Sequence, residues 1–185
     1  NNAEKEGLIK KGDTICEATS GNSGISFAML AAERGYKMVI IMPSNMSKER
    51  KQMLKFYGAE LIEVGEGDFD GAIILRDEMC KNKGWFNCNQ FHNPLNIQAH
   101  YIATGPEIYN DYQQCRGEGC SPDVFVAGTG TGGTIMGINK FLKELWLNMK
   151  TVAVEPEESP VMSGGEPGLH GIQGIGDGSK FLVDL

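Results

Sequence analysis

Apolar residues in the first half of the chain come in bursts of two kinds. Met38-Val39-Ile40-Ile41-Met42, closed by Pro43, is a continuous run, as in a strand buried on both faces of a parallel sheet. Residues 13–17 and 60–64 read as further strands, and 85–87 as a short one. Between them lie segments predicted as helices over about 22–34, 48–57 and 69–83; Ile73, Ile74, Met79 and Cys80 show the helical spacing of the last. Gly35, Gly58 and Gly84 stand where these helices should stop, and Ser47 is placed to cap the second at its start. Strand and helix alternate three times with short connections, and a fourth strand follows. That order predicts a parallel sheet with helices packed on its faces.

The pattern changes at Asn93-Pro94. A longer helix is predicted over 97–112, with Pro106 kinking it or opening a second segment. A loop from Cys115 to Cys120 leads into a strand at 123–127, a helix at 135–147 and a strand at 151–155. Beyond Pro156 the chain reads as loop, including Ser163-Gly164-Gly165 and Gly174-Ile175-Gly176-Asp177-Gly178. Residues 3–7 read as the last turn of a helix closed by Gly7, and the chain stops soon after another apolar run. The expectation is a central piece of a longer α/β protein: three-layer, with parallel sheets flanked by helices, in two domains of which the second is incomplete. Residues 1–18 would be a lead-in from the larger domain, 19–95 a small mobile domain, and 96–185 part of the larger one.

Composition narrows the function classes. The 185 residues are 41% apolar, enough for a buried core, and carry a net charge of −7 without a basic cluster. Nucleic acid and anionic membrane surfaces are therefore poor partners. No apolar run approaches the ~20 residues of a membrane span, and no stretch reads as a signal peptide. The five cysteines read as free thiols in a reducing compartment, so a cytoplasmic location is expected. Cys115 and Cys120 lie close in sequence, but a metal there would need further ligands and none is evident, so no metal site is expected.

Two glycine-rich turns carry the chemistry. Thr19-Ser20-Gly21-Asn22-Ser23-Gly24 lies between a strand and a helix. Such a turn aims backbone N–H groups and the positive end of the helix dipole at one point, which suits a small anion. The alternative is a helix cap with no ligand. The second turn, Gly128-x-Gly130-x-x-Gly133, matches the dinucleotide fingerprint, with Glu155 standing 22 residues after Gly133, where a ribose-binding acid is expected. Local context thus leaves an NAD-binding Rossmann dehydrogenase open. Thr131 and Thr134 place hydroxyls where a terminal phosphate needs donors, and the turn opens the second unit rather than the first. A dehydrogenase also has no need of the 19–24 turn.

Thr19 to Gly24 after Glu17-Ala18 resembles the substrate loop of the cysteine synthases (O-acetylserine sulfhydrylases), pyridoxal-phosphate enzymes of the tryptophan-synthase-β fold. The resemblance extends through Met42-Pro43, Met46-Ser47, Gly58-Ala59, Gln90-Phe91, Asn93-Pro94 and His100, and through Thr104 to Ile108. It continues through Ala127 to Thr134, Val154-Glu155-Pro156 and His170 to Gly176. It covers nearly the whole chain; the Cys115–Cys120 loop lacks a counterpart. The Thr104-Gly105-Pro106-Glu107-Ile108 run is closer to cysteine synthase than to cystathionine β-synthase. Relatives that use O-phosphoserine or make other β-substituted alanines stay open.

The resemblance implies pyridoxal 5'-phosphate as cofactor, its phosphate held by Gly130, Thr131, Gly132, Gly133 and Thr134. Thr19, Ser20, Gly21, Asn22 and Ser23 would hold the substrate α-carboxylate, Asn22 also bonding the cofactor's ring oxygen, and Gln90 would reach the same carboxylate. Ser23 stands where the family often has Thr, which keeps the hydroxyl. His92 and His100 lie near these stretches, but the family gives neither an acid–base role. The Schiff-base lysine would lie upstream of Asn1 and the residue facing the pyridine nitrogen beyond Leu185. Lys10, Lys11 and Lys48 read as solvated, and no residue of this chain is expected to be catalytic. The implied reaction is β-replacement: O-acetylserine loses acetate, sulfide adds, and L-cysteine forms. The family also implies that the small domain closes over the substrate, that the complete protein is a homodimer, and that serine acetyltransferase is a partner. A non-catalytic relative that binds small anions or a protein is the remaining alternative.

Overall fold

The computed structural model describes residues 2–176, 179 and 181–185. Asp177 and Gly178 of the predicted 174–178 loop lie outside the described residues. The chain divides into two compact units, Asn1–Asn89 and Gln90–Leu185.

The first unit is a four-stranded parallel sheet in the order β3-β2-β1-β4, with β1 at Thr14–Ala18, β2 at Lys37–Pro43, β3 at Glu60–Val64 and β4 at Phe86–Asn87. A short helix, α1 (Asn2–Lys5), precedes it; α2 (Asn22–Arg34), α3 (Lys48–Phe56) and α4 (Phe69–Lys83) connect the strands. Strand periodicity sorts the apolar run of β2 onto two faces. Met38, Ile40 and Met42 pack with Ala28 and Ala31 of α2 and Leu54 of α3. Val39 and Ile41 pack on the opposite face with Cys16, Ala18 and the α4 residues Ala72 and Cys80. The unit is thus three-layered, with its core on both sides of β2. The helix ends follow the expected chemistry: Gly35 and Gly84 adopt left-handed φ of 76° and 67°, and the Ser47 hydroxyl accepts from the Arg50 N–H. β1, the first strand of the predicted alternation, pairs with both β2 and β4.

The second unit begins with α5 (Pro94–Ala99), which runs into a π turn at His100–Thr104 and then α6 (Gly105–Arg116). Pro106 therefore lies in the first turn of a second helical segment, α6, as one of the two sequence readings had it. Proline lacks an N–H, and the widened turn just before it absorbs the break, with the Gly105 N–H donating to the His100 carbonyl. β5 (Val124–Gly128) and β6 (Lys150–Val154) form a two-stranded parallel sheet linked by α7 (Gly133–Leu145). Ile138, Leu142, Trp146 and Met149 form the core, against which Tyr109, Tyr112, Phe125 and Phe141 pack. Two glycines permit close helix approach: a Cβ on Gly137 would overlap the Ile97 carbonyl, and one on Gly105 would sit 2.8 Å from the Phe141 Cβ. Gln113 grips the Cys115–Cys120 loop, donating to the Cys120 carbonyl (2.7 Å) and accepting from the Gly119 N–H (2.8 Å). No helix among the described residues is long and apolar enough to cross a membrane.

Candidate functional site

The first anion-shaped turn rests on a buried ion pair. Glu17, the penultimate residue of β1, is fully buried, and its Oε1 accepts from Arg76 Nη1 (2.8 Å) and from the Ala18 N–H (2.9 Å). Arg76, 1% exposed on α4, also donates to Asp77 Oδ1 and, at 3.5 Å, to Asn89 Oδ1. Asn89 is one of two described non-glycine residues with positive φ; its N–H donates to Asn87 Oδ1, and Asn87 in turn donates to Asp77. Burial opposes the Arg76 charge, but Glu17 and Asp77 outweigh it and hold its pKa above the usual value. Around this pair, burial pushes the thiols of Cys16 and Cys88 up to about 12, which leaves them protonated and poor nucleophiles near neutral pH.

From this anchor the chain enters the turn. The buried Thr19 donates its N–H to the Ile41 carbonyl (3.0 Å), and its Oγ1 accepts from the Gly21 N–H (3.2 Å). Gly21 is the N-cap of α2, and no side chain caps that helix. Asn22 and Ser23 are exposed and Ser20 half-buried. The cap alternative therefore fails for these three: their polar groups are not spent on the helix end. A Cβ on Gly24 would sit 2.7 Å from the Thr19 Cγ2, so only glycine lets α2 close on the turn this tightly.

The second turn, at 128–134, lies between β5 and α7. Thr129 ties its start to β6, donating its N–H and its hydroxyl to the Val154 carbonyl, each at 3.0 Å. Gly132 is the N-cap of α7 with φ 90°, and a Cβ there would meet the Val183 backbone nitrogen at 2.9 Å. The N-cap Gly132 has no side chain to close the start of α7. Thr131 Oγ1 accepts from Asn96 Nδ2 (2.9 Å) and from the Gly133 N–H (3.4 Å). Thr134 Oγ1 lies 3.1 Å from His100 Nε2, and His100 Nδ1 lies 2.9 Å from Thr104 Oγ1. Burial lowers the His100 pKa below the ordinary value, which favours the neutral ring.

This donor set fits a phosphate. An uncapped helix N-terminus, a glycine turn with no room for a side chain at Gly132, two threonine hydroxyls and no carboxylate in the turn together describe an anion cradle. The dinucleotide reading loses its acid. The Glu155 carboxylate accepts from the Met162 N–H (2.8 Å), the Ser163 N–H (2.8 Å) and the Ser163 hydroxyl (2.7 Å), so it holds the chain's own loop.

The predicted residues thus fall into two groups. Thr19, Ser20, Gly21, Asn22 and Ser23 share one turn in the first unit. Gly130, Thr131, Gly132, Gly133 and Thr134 share the other in the second, where the Gln90 carbonyl also accepts from Asn96 Nδ2 (3.1 Å). Lys10, Lys11 and Lys48 are exposed, as expected. Sequence reasoning missed the Glu17–Arg76 pair, which are distant in the chain, and the roles of Asn96 and His100. Their spacing of four on a helix, which puts both on one face, was the available clue.

Residues 1–182 match the family model described as "Pyridoxal-phosphate dependent enzyme". A cysteine synthase from Staphylococcus aureus is 50% identical over 177 residues, 95% of this chain and 56% of that protein. Among solved structures, a cysteine synthase from Entamoeba histolytica is 44% identical with a TM-score of 0.85, covering 96% of this chain and 51% of its own. An O-ureido-L-serine synthase is 39% identical with a TM-score of 0.87, covering 94% and 54%. The chain therefore spans about half the length of the relatives it matches. With an uncapped, donor-lined turn suited to a phosphate and a family match over nearly its whole length, the chain belongs to the pyridoxal-phosphate dependent enzymes.

Proposed function

We propose that the whole protein is a pyridoxal-phosphate enzyme that replaces the β-substituent of an O-substituted L-serine, forming L-cysteine from O-acetylserine and sulfide. The observation that carries this reading is the character of the two turns: both are uncapped helix N-termini lined by neutral hydroxyl and amide groups. They bind anions and offer no acid or base. In the proposal the N–H groups of 130–134 and the hydroxyls of Thr131 and Thr134 hold the cofactor phosphate. Thr19, Ser20, Gly21, Asn22 and Ser23 hold the substrate α-carboxylate, Asn22 also bonds the cofactor's ring oxygen, and Gln90 is a further carboxylate donor. When bound, the cofactor supplies an electron sink for the pair left on Cα as the α-proton departs. The chain's own residues bind and orient: fixing the carboxylate fixes the position of Cα and its proton, and neutral donors leave the ester leaving group without a competing charge. Formation of another β-substituted alanine is the second reading, supported by the chain's similarity to an O-ureido-L-serine synthase.

The test is product identity. The whole protein, loaded with cofactor and supplied with O-acetylserine and sulfide, is expected to release acetate and form cysteine in equal amounts. O-phosphoserine and serine are expected to react at least about tenfold more slowly, each tenfold corresponding to 1.36 kcal/mol in the barrier. Preferential turnover of O-phosphoserine or serine would reassign the substrate; binding of cofactor with no turnover of any of them would support a non-catalytic relative.

A further inference from the structure

The two threonine hydroxyls of the 128–134 turn each receive a nitrogen from one helix face. Asn96 on α5 and His100 at the start of the π turn stand four residues apart, and their side chains reach Thr131 and Thr134 respectively. The approach is tight: a Cβ on Gly133 would overlap the Asn96 amide, and one on Gly137 would lie 2.6 Å from the His100 Cβ. A threonine hydroxyl can donate once and accept twice. Thr131 Oγ1 already accepts two N–H groups, from Asn96 and Gly133, so its own proton is left to point elsewhere. The same result holds at Thr134 if His100 carries its proton on Nε2. Nδ1 is then the acceptor, and the Thr104 hydroxyl, 2.9 Å away inside the π turn, is placed to donate to it.

We propose that Asn96 and His100 are positioning residues that hold the Thr131 and Thr134 hydroxyls as donors toward the phosphate. Thr104 fixes the His100 tautomer from behind. Neither Asn96 nor His100 has to touch the ligand. Each fills the acceptor side of a hydroxyl, so that its O–H is oriented before an anion arrives. This inference rests on the reading of 130–134 as the cofactor-phosphate site.

The test measures equilibrium affinity of the whole apoprotein for pyridoxal 5'-phosphate, by absorbance, in a cycle of variants. Thr134→Val removes the hydroxyl and keeps the shape. His100→Ala is expected to weaken cofactor binding by about five- to tenfold in the wild-type background, the scale of one lost hydrogen bond. It should act less than about twofold in the Thr134→Val background, because the hydroxyl it orients is gone. Asn96→Ala should show the same dependence on Thr131→Val. His100→Gln, whose amide reaches the position of Nε2, should bind nearly as the wild type, whereas His100→Asn should not. Equal losses in both backgrounds, no loss from His100→Ala, or equal behaviour of the Gln and Asn variants would overturn the proposal. Should His100→Ala fail to fold, the Gln and Asn pair decides alone. If Thr134→Val and Thr131→Val themselves leave affinity unchanged, the phosphate-site reading fails, and that outcome is distinct from failure of the His100 cycle.

Discussion

Replacing Arg76 with methionine in the whole protein is expected to destabilise the first unit by about 3–5 kcal/mol, the penalty for leaving a buried charge without its partner. Glu17 is fully buried, and in the variant its carboxylate would keep the Ala18 N–H but lose the guanidinium at 2.8 Å. Asp77 is exposed enough for water to replace Arg76 and still has Asn87, so the cost concentrates at Glu17. Because the protein has more than one unit, a single melting curve is a poor measure. Amide hydrogen exchange at Cys16, Glu17 and Ala18 reads the local stability directly. The double variant Glu17→Gln with Arg76→Met removes both charges and keeps an acceptor for Ala18; it should recover at least half of the loss. A single-variant loss below about 1 kcal/mol, the scale of an exposed pair, would mean that the carboxylate is not sealed from water.

Asn22→Ala separates binding from capping. Were Asn22 a cap, its loss would lower stability by about 1 kcal/mol and leave turnover intact. Gly21 is the N-cap, Asn22 is exposed, and no side chain closes the helix end, so the stability cost is expected to be small. The amide is proposed to donate to a charged carboxylate, a bond worth about 1.5–3 kcal/mol. The expected result in the whole protein is a ten- to hundredfold fall in kcat/KM for O-acetylserine, with cofactor affinity lowered much less, because the phosphate turn is intact. A variant that melts early yet turns over normally would place substrate binding elsewhere.

Much of this was legible in the chain. The Met38–Met42 run alternates onto two faces of a parallel sheet as its continuous apolar character requires, and the helix-ending glycines Gly35 and Gly84 take left-handed backbone. The positions of the two glycine-rich turns, each between a strand and a helix, were legible because glycine and hydroxyl residues cluster there. What escaped was long-range. Glu17 and Arg76 meet only after α4 packs on the sheet, so no local pattern joins them. Pro106 opens the second segment, α6, as one reading had it, but the π turn before it had no sequence signal, and that turn sets His100 between Thr104 and Thr134. Glu155 had the spacing of a ribose-binding acid, and only the fold shows its oxygens engaged by Met162 and Ser163.

The account stands on the division of labour between the two turns, and cofactor affinity of the double variant Thr131→Val/Thr134→Val tests it most directly. Two hydroxyls donating to a charged phosphate are together expected to contribute about 3–4 kcal/mol, so pyridoxal 5'-phosphate should bind the variant roughly a hundred- to a thousandfold more weakly. Pyridoxal, which lacks the phosphate, should bind variant and wild type alike. Unchanged affinity for pyridoxal 5'-phosphate, or an equal loss for pyridoxal, would contradict the placement of the phosphate at 130–134.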